Sequence, residues 1–141
     1  MKVLLAGGGT GGHVYPAIAI ANKIKEHNPD CEILFVGTKN GIESEIVPKA
    51  GFELKTVTVQ GFKRKIDFDN VKRVFKLCKG LEQSRRIVKK YKPDIVIGTG
   101  GYVSGPVLFN AAMSKKVTIV HEQNSFPGVT NKILSKVATK V

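Results

Sequence analysis

Apolar positions in this chain gather in short runs that stop at glycine and are followed by longer segments of helical period. Val3-Leu-Leu-Ala6 is unbroken and ends at Gly7, and an alanine- and isoleucine-rich stretch from Ala17 to Ile24 follows it. The arrangement recurs: Ile33-Leu-Phe-Val36 ends at Gly37, Asp94-Ile-Val-Ile97 at Gly98, and Val117-Thr-Ile-Val120 at His121. Runs without polar alternation suit strands covered on both faces. Leu54 to Val59 alternates apolar with polar residues, which predicts one more strand. Strands separated by helices need right-handed crossovers, so the pattern predicts an α/β fold with a doubly wound parallel sheet and helices on both faces. Ligands of such sheets collect at the carboxyl ends of the strands.

Composition narrows this picture. At 141 residues the chain suits one domain, and its 42% of hydrophobic residues can fill one core. Cys31 and Cys78 lie far apart and form no C-x-x-C pair, which argues against a disulfide framework or a zinc site and for a reducing compartment. No apolar run reaches the roughly 18 residues of a spanning helix, and Val3 to Ala6 is too short for a secretion signal. The expectation is a protein neither secreted nor integral to a membrane. Lys and Arg number 23 against 11 Asp and Glu, a formal net charge of +12. That surplus draws anions without choosing among nucleic acid, phosphorylated substrate and anionic lipid. The closing Ala138-Thr-Lys-Val141 reads as a strand just beginning, which predicts that the sequence is cut from a longer protein.

The glycines carry the first candidate chemistry. Gly7-Gly-Gly-Thr10-Gly-Gly12 satisfies G-x-G-x-x-G between a strand and a helix, where free amides favour a phosphate or pyrophosphate. Pro16 fits the first helical turn. The same loop also serves plain helix-on-strand packing. A reader of nicotinamide dinucleotides places an acid near the end of the second strand, but here that strand ends Phe35-Val-Gly-Thr-Lys39. NAD is disfavoured, and Lys39 alone keeps an NADP reading open. A second cluster, Gly98-Thr-Gly-Gly-Tyr-Val-Ser-Gly105, is read as another anion-accepting turn. His13, at the start of the helix where a neutral imidazole is favoured, is a candidate general base. His121-Glu-Gln-Asn-Ser125 follows another strand and either binds substrate or, through Asn124 and Ser125, caps a helix over Thr130 to Leu134. His27, before Pro29, reads as solvated.

Three motifs carry a resemblance. Gly7-Gly-Gly-Thr-Gly-Gly-His-Val-Tyr-Pro16, Gly98-Thr-Gly-Gly-Tyr-Val-Ser-Gly-Pro106 and His121-Glu-Gln-Asn-Ser-Phe-Pro-Gly-Val-Thr-Asn-Lys132 closely resemble the MurG family. Its members are bacterial transferases that add N-acetylglucosamine to the lipid-linked muramyl-pentapeptide precursor of peptidoglycan. The resemblance spans the chain but only the amino-terminal half of such an enzyme, whose two Rossmann-like domains form a GT-B arrangement around a cleft. It implies that residues 1–141 form the acceptor and membrane side, with the donor-binding domain lying outside this chain. It further implies UDP-N-acetylglucosamine as donor, lipid I as acceptor, inversion at the anomeric carbon, and neither metal nor cofactor. On matching positions, Thr10, Gly11, Gly12 and Asn124 would contribute to the donor site. The glycine loops, with Gly100, Gly101 and Tyr102, would face the acceptor pyrophosphate. His13 would be the base for the muramyl 4-hydroxyl and Glu122 a second catalytic-site residue.

An acceptor on a polyprenyl tail requires docking on the cytoplasmic leaflet as a peripheral protein. The basic segment from about Asn70 to Tyr91 is read as a helix with two stripes. Val74, Leu77, Leu81, Ser84, Val88 and Tyr91 are assigned to the core. Val71, Phe75 and Cys78, collared by Lys72, Arg73, Lys76 and Lys79, form a strip suited to an anionic membrane surface, which Lys63-Arg-Lys65, Ile66 and Phe68 could extend. Competing readings are a non-catalytic membrane-recruiting half of a split transferase and an NADP-linked oxidoreductase domain. Nucleic acid ranks last, because no aromatic-interleaved basic surface or reading motif is present.

Overall fold

The computed structural model describes residues 1–59 and 68–141, with backbone only at residues 68 and 69. Its elements are β1 (Lys2–Gly7), α1 (Gly11–His27), β2 (Glu32–Gly37), α2 (Glu43–Lys49), β3 (Glu53–Thr56), α3 (Phe68–Tyr91), β4 (Ile95–Gly100), α4 (Ser104–Met113), β5 (Val117–Val120) and α5 (Val129–Leu134). All strand pairings are parallel, in the order β3-β2-β1-β4-β5. This is the predicted doubly wound sheet. The winding reverses between β1 and β4, which opens a crevice at their carboxyl ends.

The unbroken apolar runs have a simple cause. Leu4 and Ala6 point to one face and pack with Val96, Val107 and Leu108; Val3 and Leu5 point to the other, against Val14, Ala17 and Ala21 of α1. Both faces of β1 are covered from Val3 to Ala6, which leaves that run no place for a polar side chain; Lys2, at its partly exposed start, is the exception. Each such leucine or valine, fully buried, contributes about 1.5–3 kcal/mol. Beside β5, Thr118 and Thr139 exchange two backbone-to-hydroxyl hydrogen bonds of 3.0 Å, and Ile119 bridges Lys140 in parallel. The strand expected to begin near Ala138 is therefore present as a single bridge.

Several boundaries differ from the sequence reading. β3 stops at Thr56 rather than Val59, because its partner β2 ends at Gly37, whose carbonyl accepts the last bond, from Val57 N–H at 2.9 Å. Gly98 to Gly100 belong to β4, so the second glycine cluster begins inside the strand. Pro16 lies in the second turn of α1 and not the first, because the helix begins inside the glycine loop, at Gly11. The N-cap of α5 is Gly128, with no side-chain cap, so Asn124 and Ser125 do not cap that helix.

The core stripe of α3 is also shorter than expected. Ser84 and Val88 are buried and Leu77, Leu81 and Tyr91 half-buried, but Val74 is 49% exposed. The partner helix α4 has 10 residues against the 24 of α3, about 15 Å against about 36 Å, and cannot cover its full length. Asn110 of α4 fixes the overlap by donating to the Leu81 carbonyl at 2.8 Å. Val71, Phe75 and Cys78 are exposed on the uncovered half, with Lys72, Lys76 and Lys79 exposed around them. Lys63, Arg64, Lys65 and Ile66, and the side chain of Phe68, lie outside the described residues.

Candidate functional site

The two glycine segments meet at the reversal point. A shift in the β1–β4 register sets Gly7 beside Gly100, and the Gly8 N–H then donates to the Gly100 carbonyl at 3.3 Å. Two buried hydroxyls fasten the junction. Ser104 Oγ accepts from the Gly100 N–H at 3.2 Å and donates to the Ala6 carbonyl at 2.9 Å; Thr99 Oγ1 donates to the His13 carbonyl at 2.6 Å. In the sequence both hydroxyls belong to the second glycine cluster, and nothing there assigns either a partner.

Thr10 caps α1, so Gly11, Gly12 and His13 are its first three residues. The His13 N–H bonds back to the Thr10 carbonyl at 3.1 Å, and the amides ahead of it lie at the positive end of the helix. The ring of His13 is held by its Nδ1, 3.0 Å from the Gly8 carbonyl and 3.2 Å from Thr10 Oγ1. A carbonyl can only accept, so Nδ1 carries the hydrogen and Nε2 carries the lone pair of a neutral ring. That nitrogen lies against Gly100: a Cβ built there would sit 2.9 Å from Nε2.

Two cavities flank His13. One, of about 380 Å³, is lined by Gly8, Gly9, Thr10 and Thr38; the other, of about 240 Å³, by Gly100, Glu122, Asn124 and Asn131. His13, Gly101 and Tyr102 form the wall common to both. Thr10, His13, Gly100, Gly101, Tyr102, Glu122 and Asn124 are thus brought together from three strand ends, with Gly11 and Gly12 at the adjoining helix start. Val71, Lys72, Phe75, Lys76, Cys78 and Lys79 line neither cavity. Among the described residues no group of three His, Cys, Asp or Glu side chains is placed to hold a metal ion.

Glu122 lines the second cavity, yet its oxygens serve the surrounding loop. Oε1 accepts from the backbone and side-chain N–H of Asn124, both at 3.1 Å; Oε2 accepts from Gly128 N–H at 3.2 Å and Asn131 Nδ2 at 2.9 Å. Asn124 is thereby fixed with its Oδ1 turned away from the carboxylate. Burial pushes the Glu122 carboxyl up, but the bonds from Asn131, Asn124 and Gly128 outweigh it and hold it below its ordinary value. Its contribution to stability is therefore full above the unfolded-state value and disappears as pH falls through that value toward the lowered one. Glu122→Gln is expected to lose about 1–2 kcal/mol at neutral pH and to flatten the acid limb of a melting-temperature profile. A variant as acid-sensitive as the parent would show that another group governs that limb.

The sequence reading missed a further carboxylate. Glu43, at the start of α2, lies fully buried beneath the first glycine loop.

Comparison with known proteins fits this geometry. Residues 3–141 match the glycosyltransferase family 28 N-terminal domain. Over all 141 residues the chain is 85% identical to the UDP-N-acetylglucosamine--N-acetylmuramyl-(pentapeptide) pyrophosphoryl-undecaprenol N-acetylglucosamine transferase of Clostridioides difficile (strain 630), covering 34% of that protein. It is 60% identical to the transferase of the same description from Thermoanaerobacter sp. (strain X514), over 96% of this chain and 37% of that one. The chain therefore spans about a third of the length of these curated relatives. Among solved structures, Acinetobacter baumannii MurG superposes with a TM-score of 0.83 at 32% identity, over 98% of this chain and 39% of that one. A Neisseria meningitidis UDP-GlcNAc 2-epimerase bound to UDP-GlcNAc, at 14% identity and a TM-score of 0.66 over 98% of this chain and 39% of that one, shares the fold alone. With its Rossmann-like sheet and paired glycine loops, the chain belongs to glycosyltransferase family 28, as an N-terminal domain of the GT-B type.

Proposed function

We propose that this chain is the acceptor-binding half of an inverting transferase that moves N-acetylglucosamine from UDP-N-acetylglucosamine to the muramyl 4-hydroxyl of lipid I. The observation that carries this reading is His13: a ring with Nδ1 tied down and Nε2 open, set between two cavities where the glycine loops meet. The glycine loops, with Gly100, Gly101 and Tyr102, face the acceptor diphosphate, and the positive end of α1 offsets its charge. Thr10, Gly11, Gly12 and Asn124 reach the donor, whose remaining contacts come from the partner domain of the longer enzyme.

In the reaction His13 Nε2 takes the proton of the 4-hydroxyl as that oxygen attacks the anomeric carbon. The bond from that carbon to the diphosphate breaks on the opposite face, UDP leaves with the electron pair, and the configuration inverts. Glu122 keeps Asn124 in place. A protein joining this chain to its partner domain should transfer labelled N-acetylglucosamine from the UDP-sugar to a lipid-linked muramyl acceptor. Labelled acceptor absent under saturating donor would refute the assignment.

The same reading puts the protein on the cytoplasmic face of the bacterial membrane as a peripheral protein. No helix among the described residues is long and apolar enough to cross a membrane. Val71 and Phe75, 56% and 73% exposed, together with Cys78, can enter the headgroup boundary. Lys72, Lys76 and Lys79 each add about 1 kcal/mol of attraction to an anionic surface. Replacing Phe75 by Ser and Lys76 by Glu is expected to weaken partitioning onto anionic vesicles at low salt by tenfold or more, with the melting temperature kept. Unchanged partitioning would move the membrane contact elsewhere.

A further inference from the structure

Glu43 is a buried acid that the reaction above does not use. Its side chain is wholly inaccessible. Oε1 accepts from the backbone N–H and the hydroxyl of Thr38, both at 2.7 Å, and Oε2 accepts from the Gly9 N–H at 3.1 Å. Room for it is made by glycines, since a Cβ at Gly8, Gly37 or Gly41 would land on the Glu43 side chain. Burying a carboxylate is expensive unless its hydrogen bonds are all made. Joining the end of β2 to a loop needs no charge, so the choice of an acid asks for a further reason.

That reason lies in one peptide group. The N–H that Glu43 holds and the carbonyl that holds His13 Nδ1 belong to the same unit, the bond between Gly8 and Gly9. A peptide is planar and trans, so its N–H and C=O point in opposite directions. With the N–H drawn down to the carboxylate, the carbonyl must face the ring. Rotated by half a turn, the same peptide would offer His13 an N–H, Nδ1 would have to accept, and the hydrogen would move to Nε2. The flanking residues are both glycine, which resist such a rotation less than any other pair. A carboxylate, which only accepts, rules the rotated form out.

We infer that Glu43 sets the tautomer of His13 through the Gly8–Gly9 peptide, as a positioning residue that keeps Nε2 the proton acceptor. The carboxylate never meets substrate. It does what the acid of a Ser-His-Asp triad does for its histidine, with one backbone unit in between. The consequence for turnover rests on the function proposed above; the consequence for the ring does not.

The test separates the two. Long-range proton–nitrogen NMR of this chain with labelled histidine, at a pH where the ring is neutral, distinguishes a hydrogen-bearing ring nitrogen from a bare one. In the parent, His13 should carry its hydrogen on Nδ1; finding it on Nε2 overturns the inference outright. Glu43→Gln sets an amide NH₂ against either Gly9 or Thr38, and a measurable share of the ring should pass to the Nε2–H form. Glu43→Met leaves neither Gly9 nor Thr38 a carboxylate oxygen, and an unaltered Nδ1–H ring in that variant overturns the inference as well. Thr38→Val removes a donor from the same carboxylate but spares its bond to Gly9, so it should lower the melting temperature and leave the ring as it was. A tautomer change in Thr38→Val equal to that in Glu43→Gln would reduce Glu43 to a general support of the loop. In the complete enzyme Glu43→Gln should lower kcat by about 10²-fold with the donor KM unchanged, less than the ~10⁴ seen when a triad acid is replaced directly. No transfer by the parent enzyme would refute the proposed function and leave the ring result standing.

Discussion

His13→Ala, in a protein containing both domains, is expected to lower sugar transfer by about 10²–10⁴-fold while the donor KM stays within about a factor of two. The asymmetry follows from geometry. Nδ1 is committed to the Gly8 carbonyl and Thr10, so the ring has one nitrogen to offer, beside Gly100 on a ring that lines both cavities. In the function proposed above, donor binding draws mainly on the partner domain, which alanine at position 13 does not touch. His13→Asn refines the experiment. Its amide NH₂ can still donate to the Gly8 carbonyl and keep the loop in shape, but it has no basic nitrogen. The two variants should therefore fail alike in single-turnover chemistry while Asn keeps more of the melting temperature. Undiminished transfer in either removes His13 from the proton path, and recovery in Asn alone would recast the ring as a structural tether.

How much of this was readable in the sequence depends on how local each feature is. The strands were legible because burial on both faces leaves an unbroken apolar run, and the glycine loops because a strand, a glycine cluster and a helix follow one another directly. Failures came where a distant partner decides the outcome. Val74 has the spacing of a core residue, but the short α4 stops before reaching it. β3 ends early because β2 does. Gly37 reads as the stop of a strand, and nothing nearby in sequence says that it, with Gly8 and Gly41, makes space for Glu43. An acid that faces a ribose would stand near the end of β2; Glu43 follows that strand by six residues and turns inward instead. Glu122 was found, but its spacing could not show that both of its oxygens are bound to its own loop.

Gly100→Ala should strike both the fold and the chemistry, and its comparison with Gly9→Ala tells strain from obstruction. Both positions have positive φ, +116° and +88°, so alanine at either is strained by about 1–3 kcal/mol. Their surroundings differ. At Gly9 an added methyl meets nothing within 4 Å, whereas at Gly100 it meets the edge of the His13 ring beside Nε2. The ring can give way only by swinging off the Gly8 carbonyl, and if it stays the methyl covers the nitrogen that must take the proton. Gly9→Ala is thus expected to lower the melting temperature by several degrees with kcat within about fivefold of the parent. Gly100→Ala should show a similar or larger drop in melting temperature and a fall in kcat of about 10² or more. Equal kcat in the two variants would mean that the Gly100 side of the ring is not where the acceptor hydroxyl arrives, and the direction of proton transfer would have to be redrawn toward Thr10.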